Sequence, residues 1–287
     1  MRNEIQLRGW HILSVSPTFS DLFQESVFFT GNGRMGVRGY PALRLNARPV
    51  ETGLFVAGIF DRYKADITDF VNLPTPVWET VQMDGRKPEL VSNIVRDLDL
   101  SCGKLTTSYT VEANGKQIIV TEERLFPLSN PSLFLQKTSL QCLAPETNLF
   151  WESGVDLGCW NQPIADDQVK ENDEVVRYIR HGIPEFRDNG FSVHLETKST
   201  GLGIALDVSI HTKKLPGKVS RVSGDDTADY CFEFISVPGV EYAIEKLTAV
   251  TTTRDKDTRI APLPKQWSFE SLEAENRALW AEKWAQV

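Results

Sequence analysis

The 287-residue sequence predicts a mainly β fold, a large antiparallel β-sandwich followed by one C-terminal helix. Three observations carry this expectation. The dominant apolar period is two, Asn-Gly, Asp-Gly and Pro-Gly pairs punctuate the chain, and no long amphipathic helical stretch occurs before residue 265. Strands do not alternate with helices, which argues against a parallel α/β sheet. A chain of this length with 41% hydrophobic residues can bury a large core.

Taken in order, the clearest element is a hairpin. Leu105–Ala113 and Lys116–Phe126 are β-rich runs on either side of Asn114-Gly115, the pair that a type I′ turn prefers. Val77–Met83 followed by Asp84-Gly85 reads as a shorter hairpin. Ser26–Thr30 is β-rich. Further strands are expected at Leu133–Leu143, Phe191–Lys198, Gly203–Thr212, Tyr230–Val237 and Val240–Thr253, with turns at Leu215-Pro216-Gly217 and Pro238-Gly239. Near the end, Ser268 or Ser271 can cap a helix whose positive end meets Glu270, Glu273 and Glu275. Leu272, Leu279, Trp280, Trp284 and Val287 fall on or near one face of that helix. A stripe with two tryptophans wants a large apolar partner, so Trp280 and Trp284 are expected to pack against the sandwich or a neighbouring domain. No C-cap glycine or proline precedes Val287, which suggests that a longer protein continues. The expected division is a sandwich domain over 1–264 and a linker helix over 265–287.

Composition removes several functions. The formal charge of -8, with no Lys/Arg run, argues against a nucleic-acid partner. The opening MRNEIQLRGW has no signal-peptide core, and no segment approaches a membrane span. Cys102, Cys142, Cys159 and Cys231 are far apart with no C-x-x-C, so they read as thiols of a cytoplasmic protein.

The stretch TGNGRMGVRGYP (Thr30–Pro41) fits G-x-G-x-x-G, with Glu51 about the right distance downstream for a ribose hydroxyl. A dinucleotide site needs a helix opening directly after the glycines. Gly39 and Pro41 leave no room for one. A kinase Gly-rich loop fails too, because H-R-D and D-F-G are absent. The glycines therefore read as a tight turn with close backbone approach. Asn32, Arg34 and Arg38 are the polar groups of this stretch that could meet a neighbouring domain or a polar ligand, and arginine's planar fork suits carboxylates, phosphates and sugar hydroxyls.

Catalytic groups are not legible. Glu122 and Glu123 would point to opposite faces of a strand. Asp166-Asp167 and Asp225-Asp226 read as loop charge, and Asp97 with Asp99 reads as a strand edge beside Arg96. His11, His181, His194 and His211 are scattered without metal-ligand spacing. No G-x-S-x-G elbow occurs. Trp78, Trp151, Trp160 and Trp267 could stack on sugar rings but read as packing residues. No catalytic or metal-ligating residue and no cofactor is expected.

The motifs themselves say more. ESVFFTGNGRMGVRGY resembles the opening signature of glycoside hydrolase family 65, the maltose, trehalose and kojibiose phosphorylases and their hydrolytic relatives. FVAGIFD (Phe55–Asp61), DFVNLP (Asp69–Pro74), RDLDLSCGKLTTSYTV (Arg96–Val111) and EKLTAVTTTRD (Glu245–Asp255) follow in the family's order, and NRALWAEKWAQV resembles its exit helix. Arg34 stands where the family usually has an aromatic residue, Cys102 where it is more often charged, and residues 160–190 match no family segment. The resemblance implies a galactose-mutarotase-like super-sandwich, with an (α/α)6 barrel downstream carrying the general acid and the phosphate site. The implied partners are that catalytic domain and, through it, a disaccharide, with inorganic phosphate as co-substrate in a phosphorylase. By itself the chain is then expected to be inactive. A stand-alone carbohydrate-binding module or a structural domain that forms a homodimer are the other readings.

Overall fold

A computed structural model describes residues 5–18, 22–45, 53–64, 67–144, 146–161, 175–215 and 218–287. Two antiparallel sheets face each other across one core. The larger has twelve strands among the described residues. Its main path runs Ile5–Arg8, His11–Ser16, Ile94–Asp99, Lys104–Ala113, Lys116–Leu125, Leu133–Cys142, Glu241–Thr252, Gly203–Lys213, Gly190–Thr197 and Ile179–His181. The smaller runs Lys218–Ser223, Thr227–Ser236, Thr147–Asp156 and Thr75–Met83. Two small sheets lie beside them: Thr30–Gly31, Met35–Val37 and Leu54–Val56 in one, Phe60–Lys64 and Ile67–Phe70 in the other. The antiparallel β-sandwich with a C-terminal helix is therefore the observed fold.

The sequence period explains the layers. Lys104–Ala113 alternates half-buried and buried residues without a break, so one face enters the core and the other does not. Asn114 and Gly115 both have positive φ, 55° and 72°, the backbone of the expected turn. Asp84 and Gly85 also turn with positive φ, yet the second hairpin does not form. Only a Met83–Arg86 bridge follows, and Pro88, which has no N–H to donate, stands just beyond it. Thr75–Met83 pairs instead with Thr147–Asp156.

Ser26–Thr30 is also not a strand. Leu22–Val27 forms a short helix, α1, and only Thr30–Gly31 is extended. Tertiary contacts override the β propensity: Gln24 is buried and accepts a hydrogen bond from Ser14, and the Glu25 carbonyl accepts one from the Gly39 N–H at 2.8 Å. The turn at Leu215-Pro216-Gly217 falls partly outside the described residues.

The core is not wholly apolar. Glu79 is sealed from solvent and accepts hydrogen bonds from Gln136 (2.9 Å), Thr138 (3.1 Å), Trp151 (3.0 Å) and Ser153 (3.1 Å). The equally buried Lys246 donates to the Gly154 carbonyl at 2.9 Å. Burial pushes the Glu79 carboxyl up and the Lys246 ammonium down, and the charge of each partly offsets the shift of the other. These groups tie the two sheets together through polar contacts, which are stronger in a low-dielectric interior.

Helix α2, Phe269–Trp284, starts as expected. Ser268 caps it, and Ser271 completes a reciprocal capping box. Phe269 and Leu272 pack with Leu125, Leu133, Leu135 and Leu247 of the large sheet. The buried Glu245 accepts from the Phe269 N–H at 3.2 Å, an anion at the helix's positive end, and is paired to Lys213 at 2.6 Å.

Candidate functional site

The glycine-rich stretch folds as strand, turn, strand, with no helix after it. Gly31 and Gly36 pair across the ladder, and the Phe29 ring lies over both. A Cβ on Gly36 would overlap that ring and come 2.9 Å from the Thr30 carbonyl oxygen. Gly33 has φ +85°, which a side chain rarely tolerates. The Asn32 carboxamide oxygen accepts the N–H groups of Arg34 and Met35, both at 3.1 Å, and its amide reaches the Pro131 carbonyl at 3.0 Å. Two glycines thus give Phe29 a flat seat, and the third makes the turn. Gly36→Ala should destabilise the domain by ~1–3 kcal/mol through overpacking and lower its thermal midpoint, while a substitution at Gly33 should act through backbone strain alone, because nothing lies within 4 Å of that site.

What this builds is a cleft of about 760 Å³. Phe29, Phe55, Phe60 and Phe70 form its aromatic walls, and Gly31, Gly36 and Gly58 let the backbone form the rest. Phe55 stacks on Phe70 at 5.3 Å, and Phe60 meets Phe70 edge-on at 5.3 Å. Phe29, Phe60 and Phe70 keep 43%, 38% and 36% of their surface exposed, so they do not serve the sandwich core. None of the described residues lining the cleft is acidic.

The three polar residues of the stretch separate. Arg34 lines the cleft, with its guanidinium held by the Asp255 carboxylate at 2.8 Å to each oxygen. That bidentate pair ties the turn to the end of the last strand. Asn32 is spent on the turn itself. Arg38 points elsewhere, donating to the Leu22 carbonyl and Ser26 hydroxyl of α1, both at 3.1 Å. The main chain from Arg38 to Ala42 rests on buried charge from the large sheet. Arg96 donates to the Gly39 carbonyl at 3.1 Å, Arg124 donates to the Tyr40 carbonyl, and the Glu122 carboxylate accepts the Ala42 N–H at 2.9 Å. Glu122 also pairs with Arg124 at 2.8 Å and accepts from Tyr109 at 2.5 Å.

Trp280 and Trp284 stack on each other at 5.7 Å, and Trp284 packs on Trp10 at 4.6 Å. Trp280 lies against Gly103. Both tryptophans therefore dock the helix onto turns of its own sandwich. Trp151 is core, Trp78 lies under Arg44 at 4.7 Å, and Trp267 stacks on His211 at 4.1 Å.

Of the carboxylate pairs, Glu122 is inside and Glu123 outside, where it meets Lys104 at 2.9 Å. Asp97 and Asp99 are not at a sheet edge. Their strand lies between two others, with Arg96 on its buried face, while Asp97 binds His11 at 2.8 Å and Asp99 caps the Ser101 turn at 2.9 Å. Asp226 is clamped by Arg177 at 2.7 and 2.9 Å. Asp166-Asp167 lies outside the described residues. Asp229, on the small sheet, is buried and its carboxyl is pushed up to about 7, chiefly by desolvation. No cluster of three metal-ligating side chains occurs among the described residues, and no helix among them is long and apolar enough to cross a membrane.

Sequence reasoning missed the phenylalanine walls and Asp255. Their signal was in plain sight as FVAGIFD, DFVNLP and the TTTRD that ends the last long strand.

Architecture and cleft together define a large two-sheet sandwich domain, sealed by a helix on one sheet and bearing an open aromatic cleft at one margin. The model of the N-terminal domain of glycosyl hydrolase family 65 matches residues 19–283, and the chain belongs to that family. A trehalose 6-phosphate phosphorylase of Lactococcus lactis is 28% identical over 116 residues, 37% of this chain and 15% of that one. A kojibiose phosphorylase of Halothermothrix orenii is 35% identical over 63 residues, 22% of this chain and 8% of that one. An uncharacterized glycosyl hydrolase of Mycobacterium tuberculosis is 21% identical over 262 residues, 85% and 19%. Among solved structures, a kojibiose phosphorylase candidate from the human microbiome superposes with TM-score 0.77 at 14% identity, over 97% of this chain and 38% of that one, a likeness of fold. The chain spans well under half the length of each of these relatives.

Proposed function

We propose that this chain is the N-terminal domain of an inverting family 65 enzyme, a phosphorylase or hydrolase of a disaccharide such as maltose, kojibiose or trehalose, and that it is catalytically silent by itself. Residues 1–264 form the accessory sandwich and 265–287 the linker helix. The observation that supports this reading is the cleft: it is built from the signature stretch, walled by phenylalanines that the core does not use, and lined by no carboxylate among the described residues. Glycosidic cleavage needs a carboxylic acid at the leaving oxygen and a positioned nucleophile. An exposed apolar patch suits a protein surface instead. In this reading the cleft receives the catalytic domain of the same enzyme, Arg34 stiffens its rim, and inorganic phosphate is met in that domain.

The chain should release no glucose and no glucose 1-phosphate from maltose, kojibiose or trehalose, with or without inorganic phosphate. Turnover would overturn the accessory role and direct attention to Asp229.

A further inference from the structure

We propose that a second cleft, at the mouth of the sandwich and separate from the aromatic one, binds a neutral pyranose sugar. It encloses about 430 Å³, room for one or two sugar rings. It lies where the two-residue turn Asp188-Asn189, between strands Glu185–Arg187 and Gly190–Thr197, overhangs the ends of Gly203–Lys213 and Lys218–Ser223.

The turn is held more firmly than a surface hairpin requires. The Ile210 N–H donates to the Asn189 carbonyl at 2.8 Å. The buried Tyr230 hydroxyl accepts the Gly190 N–H at 3.1 Å and also reaches the Arg187 carbonyl. Gly190 lies flush on the backbone of Val208, where no side chain fits. A rigid main chain therefore carries two polar side chains, Asp188 and Asn189, at the cleft's rim. The Asp188 side chain is fully exposed, with Arg221 at 3.4 Å as its neighbour.

The lining selects the ligand class. Asp188 supplies acceptors, while Asn189 and Thr212 supply both donors and acceptors. Ile210, Val219 and Phe232 supply an apolar floor. A pyranose has both characters, an apolar C–H face and a ring of hydroxyls that each donate and accept. A purely apolar ligand would desolvate Asp188 and Asn189 without compensation. A phosphate would meet the carboxylate of Asp188, whose cationic neighbour Arg221 is its partner, while His211 of the lining is stacked on Trp267.

The test is residue-resolved. Amide NMR spectra of the 287-residue chain are titrated with D-glucose, with maltose and, separately, with inorganic phosphate. Saturable shifts centred on Asp188, Asn189 and Thr212 are expected with the sugars, at millimolar dissociation constants. Asn189→Ala and Asp188→Ala should each weaken binding at least fivefold with the spectrum otherwise unchanged, since both side chains are on the surface. Absence of saturation with either sugar, shifts centred elsewhere, or shifts with phosphate alone would overturn the proposal. Because no turnover is measured, this outcome is independent of the accessory-domain reading.

Discussion

Arg124→Met should destabilise the domain by ~3–5 kcal/mol, the cost of leaving a buried carboxylate without its partner. Glu122 and Arg124 are both sealed from solvent, 2.8 Å apart, and between them they hold the main chain of Tyr40 and Ala42. Loss of the guanidinium removes the counter-charge and the clamp together. The expected readout is a lower urea midpoint with an unchanged slope, as for a loss of stability without a change in the surface exposed. Glu122→Gln with Arg124→Met should recover part of the loss, because no charge is then stranded. An unfolding free energy within about 1 kcal/mol of the parent for Arg124→Met alone would show that the motif is not held by this pair.

Lys246→Met should have a comparable effect, ~3–5 kcal/mol, for a related reason. Lys246 faces Glu79 across the core, and its ammonium also satisfies the Gly154 carbonyl. Methionine fills the space of the stem but leaves Glu79 with neutral donors only. The carboxyl of Glu79 should then hold its proton to higher pH than in the parent. The penalty should consequently shrink as pH falls through the range in which Glu79 protonates, and deepen above it. Urea midpoints at pH 5 and pH 8, read for parent and variant together, check the sign. An equal penalty at both values would mean that Glu79 and Lys246 are not electrostatically coupled.

The fold was largely legible where one face of a strand is buried. Leu133–Cys142, Gly203–Lys213 and Glu241–Thr252 fall within a residue or two of their expected bounds. Legibility failed where the core is polar. Thr147–Asp156 runs through the middle of the small sheet, yet Ser153 interrupts its apolar inner face, because that face meets Glu79 and Lys246. It failed also at Ser26–Thr30, where buried contacts of Gln24 and Glu25 carry a helix as far as Val27 and only Thr30 is extended. The cleft was half visible. Gly31, Gly33 and Gly36 announced a close approach, but their partner, Phe29, reads locally as one more strand residue. Nothing in the spacing of Arg34 and Asp255, 221 positions apart, could reveal that they pair.

The order of the large sheet has a consequence for synthesis. Glu241–Thr252 lies between Leu133–Cys142 and Gly203–Lys213, so a strand made after both of its neighbours fills the middle of the sheet. Until it arrives, two long strands present unpaired edges toward each other. The nascent chain must keep those edges from meeting strangers until Glu241–Thr252 pairs with both. A chain broken off before that strand is left with two open edges in its large sheet rather than a smaller closed sandwich.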